Sequence, residues 1–147
     1  MWPLAFLALF VFVFQQYSSA NLESELKIAT QAQSSSMSGS MIIYRDAAMR
    51  YAQANPAFSG TVADASLVLP AWFNKPSNLN NYVDTGRAFA YTTAPSSALL
   101  NQLLTETKSS VLVGTKVSGF LVHPALGTTA VSLPSAIPEG AIVYASN

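Results

Sequence analysis

Residues 87–108 read RAFAYTTAPSSALLNQLLTETK, and the apolar period changes within them from two to between three and four. Arg87–Thr92 alternates Arg, Ala, Phe, Ala, Tyr, Thr, as a strand with two different faces does. Ala94-Pro95-Ser96-Ser97 then signals a helix start, because a serine hydroxyl can accept from a first-turn amide that has no partner in the helix. Leu99, Leu100, Leu103 and Leu104 put one apolar stripe on a helix over 98–108. Lys108 is expected in its last turn, where a cation complements the carbonyl end. A strand running directly into an amphipathic helix needs a sheet for the helix to cover, so these residues set the fold class.

Toward the C-terminus, Val111–Val117 and Gly119–Val122 read as strands meeting near Ser118-Gly119. His123-Pro124 closes that unit, and a loop containing Gly127 and Pro134 is expected after it. A last strand, Ala141–Ala145, is entered through Pro138-Glu139-Gly140. Toward the N-terminus, NKPSNLNN at 74–81 reads as a loop, Leu67-Val68-Leu69 with Val62 as a strand stopped by Pro70, and Gly60 as a turn. Before that, Leu22, Leu26 and Ala29, then Met37, Met41, Tyr44, Ala48 and Tyr51, keep helical spacing to Asn55-Pro56, where the residue before proline leaves the α region. Residues 33–40, QSSSMSGS, are poor helix formers, so a bend or break is expected there. The reading is α+β: an apolar membrane or signal helix, a long amphipathic helix, and a small, mainly antiparallel sheet with one further helix. The implied segments are 1–20, 21–56 and a globular body at 57–147.

Residues 2–14, WPLAFLALFVFVF, contain no polar side chain. Residues 1–20 give about 30 Å of helix, enough for a retained anchor with Trp2 at one interface. The alternative is a cleaved signal peptide with Ser18-Ser19-Ala20 before a cut between Ala20 and Asn21. The first basic residue is Lys27, so the charged start typical of signal peptides is missing, which favours the anchor. Either reading puts the body outside the cytoplasm.

Seven Lys/Arg balance seven Asp/Glu in 147 residues, and charged residues are 10% of the chain. Nothing here neutralises a phosphate backbone, so no nucleic-acid partner is expected. Without cysteine there is neither a disulfide framework nor a cysteine zinc site. The one histidine, His123, lacks a nucleophile elbow and reads as a capped or exposed turn residue. Val113-Gly114-Thr115-Lys116 resembles the end of a phosphate loop, but position 109 is Ser where a glycine is required. The acidic residues show no spacing that builds a metal site. No catalytic, cofactor-binding or metal residue is therefore expected, nor a small-molecule substrate.

Two features carry an interaction reading. Arg45-Asp46 with Arg50 is either a solvated helix face or a contact with another envelope protein. Trp72-Phe73 is either a pair of core plugs or a docking patch, since tryptophan often anchors interfaces.

Four patches are similar to a known family: Asn55-Pro56-Ala57-Phe58-Ser59-Gly60, Leu69-Pro70-Ala71-Trp72-Phe73, Gly119 through Pro124, and Ile137-Pro138-Glu139-Gly140-Ala141-Ile142-Val143. With the apolar start, the Ser/Gln-rich helix and the missing cysteine, the chain resembles the small PilM proteins of type IVb (thin) pilus systems, as carried on conjugative plasmids. This is not the larger, actin-like, nucleotide-binding protein of the same name. The resemblance implies a non-enzymatic, membrane-anchored assembly component in the bacterial inner membrane, its body in the periplasm. Its implied partners are other pilus-assembly proteins or pilin. The alternatives are a minor pilin in the fibre and a cleaved, soluble periplasmic binding protein. Against the pilin stands the start of the chain: the first glycine is Gly39, and Met1–Gln16 contains no acid.

Overall fold

The computed structural model describes residues 2–146 along the backbone and residues 25–146 with their side chains. In chain order the elements are α1 (Trp2–Ala54), β1 (Ser59–Gly60), a 3-10 turn (Asp64–Ser66), β2 (Leu79–Asp84), β3 (Arg87–Thr92), α2 (Ser97–Glu106), β4 (Val113–Val117), β5 (Phe120–His123), β6 (Gly127–Ser132) and β7 (Ile142–Ala145). The strands form one sheet in the order β1-β2-β3-β7-β4-β5-β6, and every neighbouring pair is antiparallel. The α+β expectation is met, with one long helix, one short helix and a seven-stranded sheet.

The chain forms two units, residues 1–33 and 34–147. In the first, side chains 25–33 are all exposed, Leu26 and Ile28 included. Among the described residues no helix is long and apolar enough to cross a membrane. The expected anchor at 1–20 and the Ala20–Asn21 junction lie outside the residues whose side chains are described.

The second unit takes in α1 from Ser34 onward, because from there the helix buries a stripe. Ser34, Met37, Ser38, Met41, Tyr44, Ala48 and Ala52 recur along one helix face and are all buried. No break falls at 33–40. The serines there bond back along the helix, Ser38 Oγ to Ser35 O at 3.0 Å and Ser40 Oγ to Ser36 O at 2.9 Å. Burial of Met37 and Met41, at about 1.5–3 kcal/mol for each fully buried side chain, outweighs the poor propensity of the serines and Gly39.

α1 and α2 cover one sheet face. Leu99 and Leu103 of α2 and the α1 stripe share a core with Leu79, Val83, Ala88, Ala90, Val113 and Ile142. Segment 133–141 closes the other face, where Leu133, Ile137 and Ala141 pack with Phe89, Tyr91, Leu121, Val143 and Ala145. β3 and β7 are therefore buried on both faces.

Several elements depart from the sequence reading. Leu67-Val68-Leu69 is not a strand; the backbone turns there, with Leu69 N donating to Leu67 O at 3.0 Å. The expected loop at 74–81 already contains the start of β2, and the expected loop after His123 contains β6. Gly60 lies in β1, paired with Val83, rather than in a turn. α2 ends at Glu106, and Lys108 follows it in a left-handed conformation (φ 54°) instead of closing its last turn. The Ser96 cap is as expected, accepting from Leu99 N at 3.1 Å. Both two-residue hairpin turns, Thr85-Gly86 and Ser118-Gly119, have positive φ at both positions, the twist that matches flanking strands.

Candidate interaction site

The chain between β1 and β2, residues 61–78, runs outside the sheet and is held by a polar cluster that no motif announces. At its centre is the fully buried Tyr44 of α1. The Tyr44 hydroxyl donates to Asp64 Oδ1. It accepts from Asn81 Nδ2 at 2.7 Å and from Lys75 Nζ at 3.4 Å. Lys75 Nζ also pairs with Asp64, 2.8 Å from Oδ2 and 3.1 Å from Oδ1, and lies 5.3 Å from the centre of the Tyr44 ring. Asn81 completes the arrangement: its Oδ1 accepts from Val62 N at 2.8 Å and its Nδ2 donates to Val62 O at 2.9 Å. The side chain of a β2 residue thus stands in for a neighbouring strand.

The electrostatics follow from these contacts. Burial, then the bond to Asp64, raise the Tyr44 phenol above its ordinary value. Burial alone would raise the Asp64 carboxyl, but bonds from Lys75 and Tyr44 outweigh it and the net shift is downward. Burial likewise works against the Lys75 ammonium, yet its bond to Asp64 and its contacts with Tyr44 raise it overall. At neutral pH the set is a carboxylate, an ammonium and a neutral phenol, each engaged with the others. What this arrangement does is fasten a loop to a helix.

The clamp fixes the direction of the two aromatics. Phe73 points inward and stacks on Tyr44, with ring centres 6.1 Å apart and planes within 7°. Trp72 points outward and is 73% exposed, and Val68 on the same chain segment is 75% exposed. No charged residue occurs from Ala65 to Asn74. The two halves of the Trp72-Phe73 pair therefore do different things.

The arginines divide as well. Arg45 Nε donates to Ala145 O at 3.2 Å, its guanidinium lies 4.5 Å from the Tyr144 ring centre, and it pairs with Asp46 at 2.8 Å. Arg45 ties α1 to β7 inside the unit, while Arg50 is exposed. Among the described residues no hydrogen bond, ion pair or ring contact joins either arginine to Trp72. Lys116, in the segment resembling a phosphate loop, is buried and donates to Ile137 O at 2.6 Å and Pro134 O at 2.9 Å. His123 is buried and its Nδ1 caps the turn after β5, so of the two expectations the capped turn holds and the exposed one does not. Among the described residues no group of three or more acidic or histidine side chains is placed to hold a metal ion.

The sequence reading names Trp72 and Phe73 as candidates and does not name Tyr44, Asp64, Lys75 or Asn81. The tyrosine reads as one more member of an apolar stripe, Asp64 falls between Val62 and Leu67 in the stretch read as a strand, and Lys75 and Asn81 fall in the stretch read as a loop. The only available signal was a polar-tipped residue at the centre of a buried stripe, which needs a partner.

The fold has relatives. The crystal structure named for a pilM protein from Pseudomonas aeruginosa 2192 is 43% identical, covers 78% of this chain and 93% of its own, and superposes with a TM-score of 0.51. That named for PilM from Escherichia coli B7A is 24% identical over 78% of this chain and 92% of its own, with a TM-score of 0.59, a likeness of fold alone. No curated protein matches the chain. A family model described as PilM matches residues 9–145, nearly the whole sequence, and the chain belongs to the PilM family.

Proposed function

We propose that this chain is a non-enzymatic, membrane-anchored component of type IV pilus assembly that works by holding other assembly proteins or pilin. Trp72 is its principal contact. The observation that carries this reading is an exposed indole on a loop whose base is locked by the Tyr44–Asp64–Lys75 cluster. An exposed tryptophan on an ordered, uncharged loop meets a partner with little ordering entropy left to lose. Arg50 and Arg45 are the secondary candidates, Arg50 as a rim charge and Arg45 as a support for the helix that carries it. The apolar segment 1–20 supplies the anchor, with the body in the periplasm; an anchor raises the local concentration of weakly binding surfaces.

The test is intact-mass analysis of membrane, soluble and sheared-pilus fractions, combined with the Trp72→Ala variant. Full-length chain in the membrane alone, with piliation lost in the variant, is the expected result. A chain beginning at Asn21 in the soluble fraction removes the anchor. Recovery from sheared pili promotes the minor-pilin reading, which the passage from an apolar helix segment to an α+β body favours.

A further inference from the structure

The single histidine of the chain ends β5, next to the edge strand β6. Its side chain is 3% exposed. Nδ1 accepts from Ala125 N at 3.2 Å and from Leu126 N at 3.3 Å, so the imidazole holds the turn that leads into β6. Nε2 is buried and has no hydrogen-bond partner among the described residues. A nitrogen that accepts two amides must carry a free lone pair, which fixes the neutral ring with its proton on Nε2. An imidazolium donates from both nitrogens. It would set an N–H against the two amides of the turn and leave a buried charge unpaired.

Among the described residues no carboxylate forms an ion pair or hydrogen bond with this ring. Across the sheet His123 is paired with Gly127 on β6, and its strand lies against Gly114 of β4. Among the described residues, the titratable groups on this side of the sheet are Lys116 of β4, Tyr82 and Asp84 of β2, Arg87 and Tyr91 of β3, and Glu139 of segment 133–141, with Asp84 and Arg87 paired to each other at 3.6 Å. Lys116 is a cation already bonded to the Pro134 and Ile137 carbonyls. Burial favours the neutral phenol of Tyr91. Glu139 accepts from Ser118 N at 2.8 Å and Gly119 N at 3.2 Å and lies 3.6 Å from Lys116 Nζ.

The geometry points to His123 as an acid-released latch: the neutral ring holds the 123–127 turn and with it the edge strand β6, and protonation frees both. The release is local, because β6 pairs with β5 alone at one edge of the sheet, whereas β3 and β7 lie at its centre. Opening bares the outer edge of β5, a row of unpaired backbone groups able to pair with another strand.

The test follows the full-length chain in detergent micelles by NMR between about pH 8 and pH 5, the span in which histidines titrate. The imidazole nitrogen shifts report protonation, and amide protection factors report opening. The expected result is a fall of about tenfold or more at Ala125, Leu126 and the β6 amides as the ring protonates, with β2, β3 and β7 unchanged. In His123→Asn the amide oxygen can accept from the same turn and does not titrate, so its protection is expected to stay flat with pH. Protonation with protection unchanged overturns the latch, as does a ring that stays neutral until the whole sheet opens. A His123→Asn profile identical to the wild-type fall also overturns it. Should that variant not fold, the wild-type titration decides by itself.

Discussion

Asn81 closes a ring of two hydrogen bonds on the backbone of Val62, at 2.8 and 2.9 Å, and gives its second amide proton to Tyr44 at 2.7 Å. One side chain therefore satisfies a buried N–H, a buried carbonyl and a buried hydroxyl. Asn81→Ala is expected to lower stability by about 2–4 kcal/mol, since unsatisfied buried groups cost about 1–3 kcal/mol each and partial relaxation recovers some of it. Urea unfolding measures this; a loss below about 0.5 kcal/mol would mean that water replaces the amide.

The clamp gives stability a pH signature on both sides. Asp64 is lowered on folding, so its contribution is present above the unfolded carboxyl value and lost as acid protonates it in the folded state. Lys75 and Tyr44 are raised, so theirs are present below the unfolded values and lost as pH rises through the folded ones. Unfolding midpoints across pH should show a neutral plateau falling at both ends, with the acid limb shallower in Asp64→Asn. The difference should stay below about 1 kcal/mol, because the carboxylate is half exposed and screened.

Trp72 and Phe73 should separate by variant. Trp72→Ala is expected to change stability by no more than about 0.5 kcal/mol while abolishing co-purification with pilus-assembly partners. Phe73→Ala removes the ring stacked on Tyr44 and should cost about 1–3 kcal/mol in thermal unfolding. Equal destabilisation by both would contradict an outward-facing Trp72.

Gly114 faces the tightest backbone approach. A Cβ there would lie 2.3 Å from Val122 O and 2.8 Å from Val122 C. Gly114→Ala should therefore push β4 and β5 apart and cost about 1–3 kcal/mol, visible as a lower melting temperature. At Gly39 a Cβ would meet nothing within 4 Å and the backbone is helical, so alanine should be accepted there and raise stability.

Local patterns in the sequence determined a good part of this protein. The Ser96 cap and Leu99/Leu103 stripe placed α2, the alternation at 87–92 placed β3, and Asn55-Pro56 ended the long helix. These signals depend on neighbours in the chain, so they survive without the fold. Tertiary contact decided the rest. Leu79–Asp84 became a strand despite its asparagines because Asn81 found Val62 and Tyr44. Residues 33–40 stayed helical because Met37 and Met41 found the core. Trp72 and Phe73 are adjacent and chemically alike, and only the clamp at Tyr44 assigned one to solvent and the other to the interior. The energies that made these choices belong to residues twenty to forty positions apart, and composition or periodicity along the chain does not carry them.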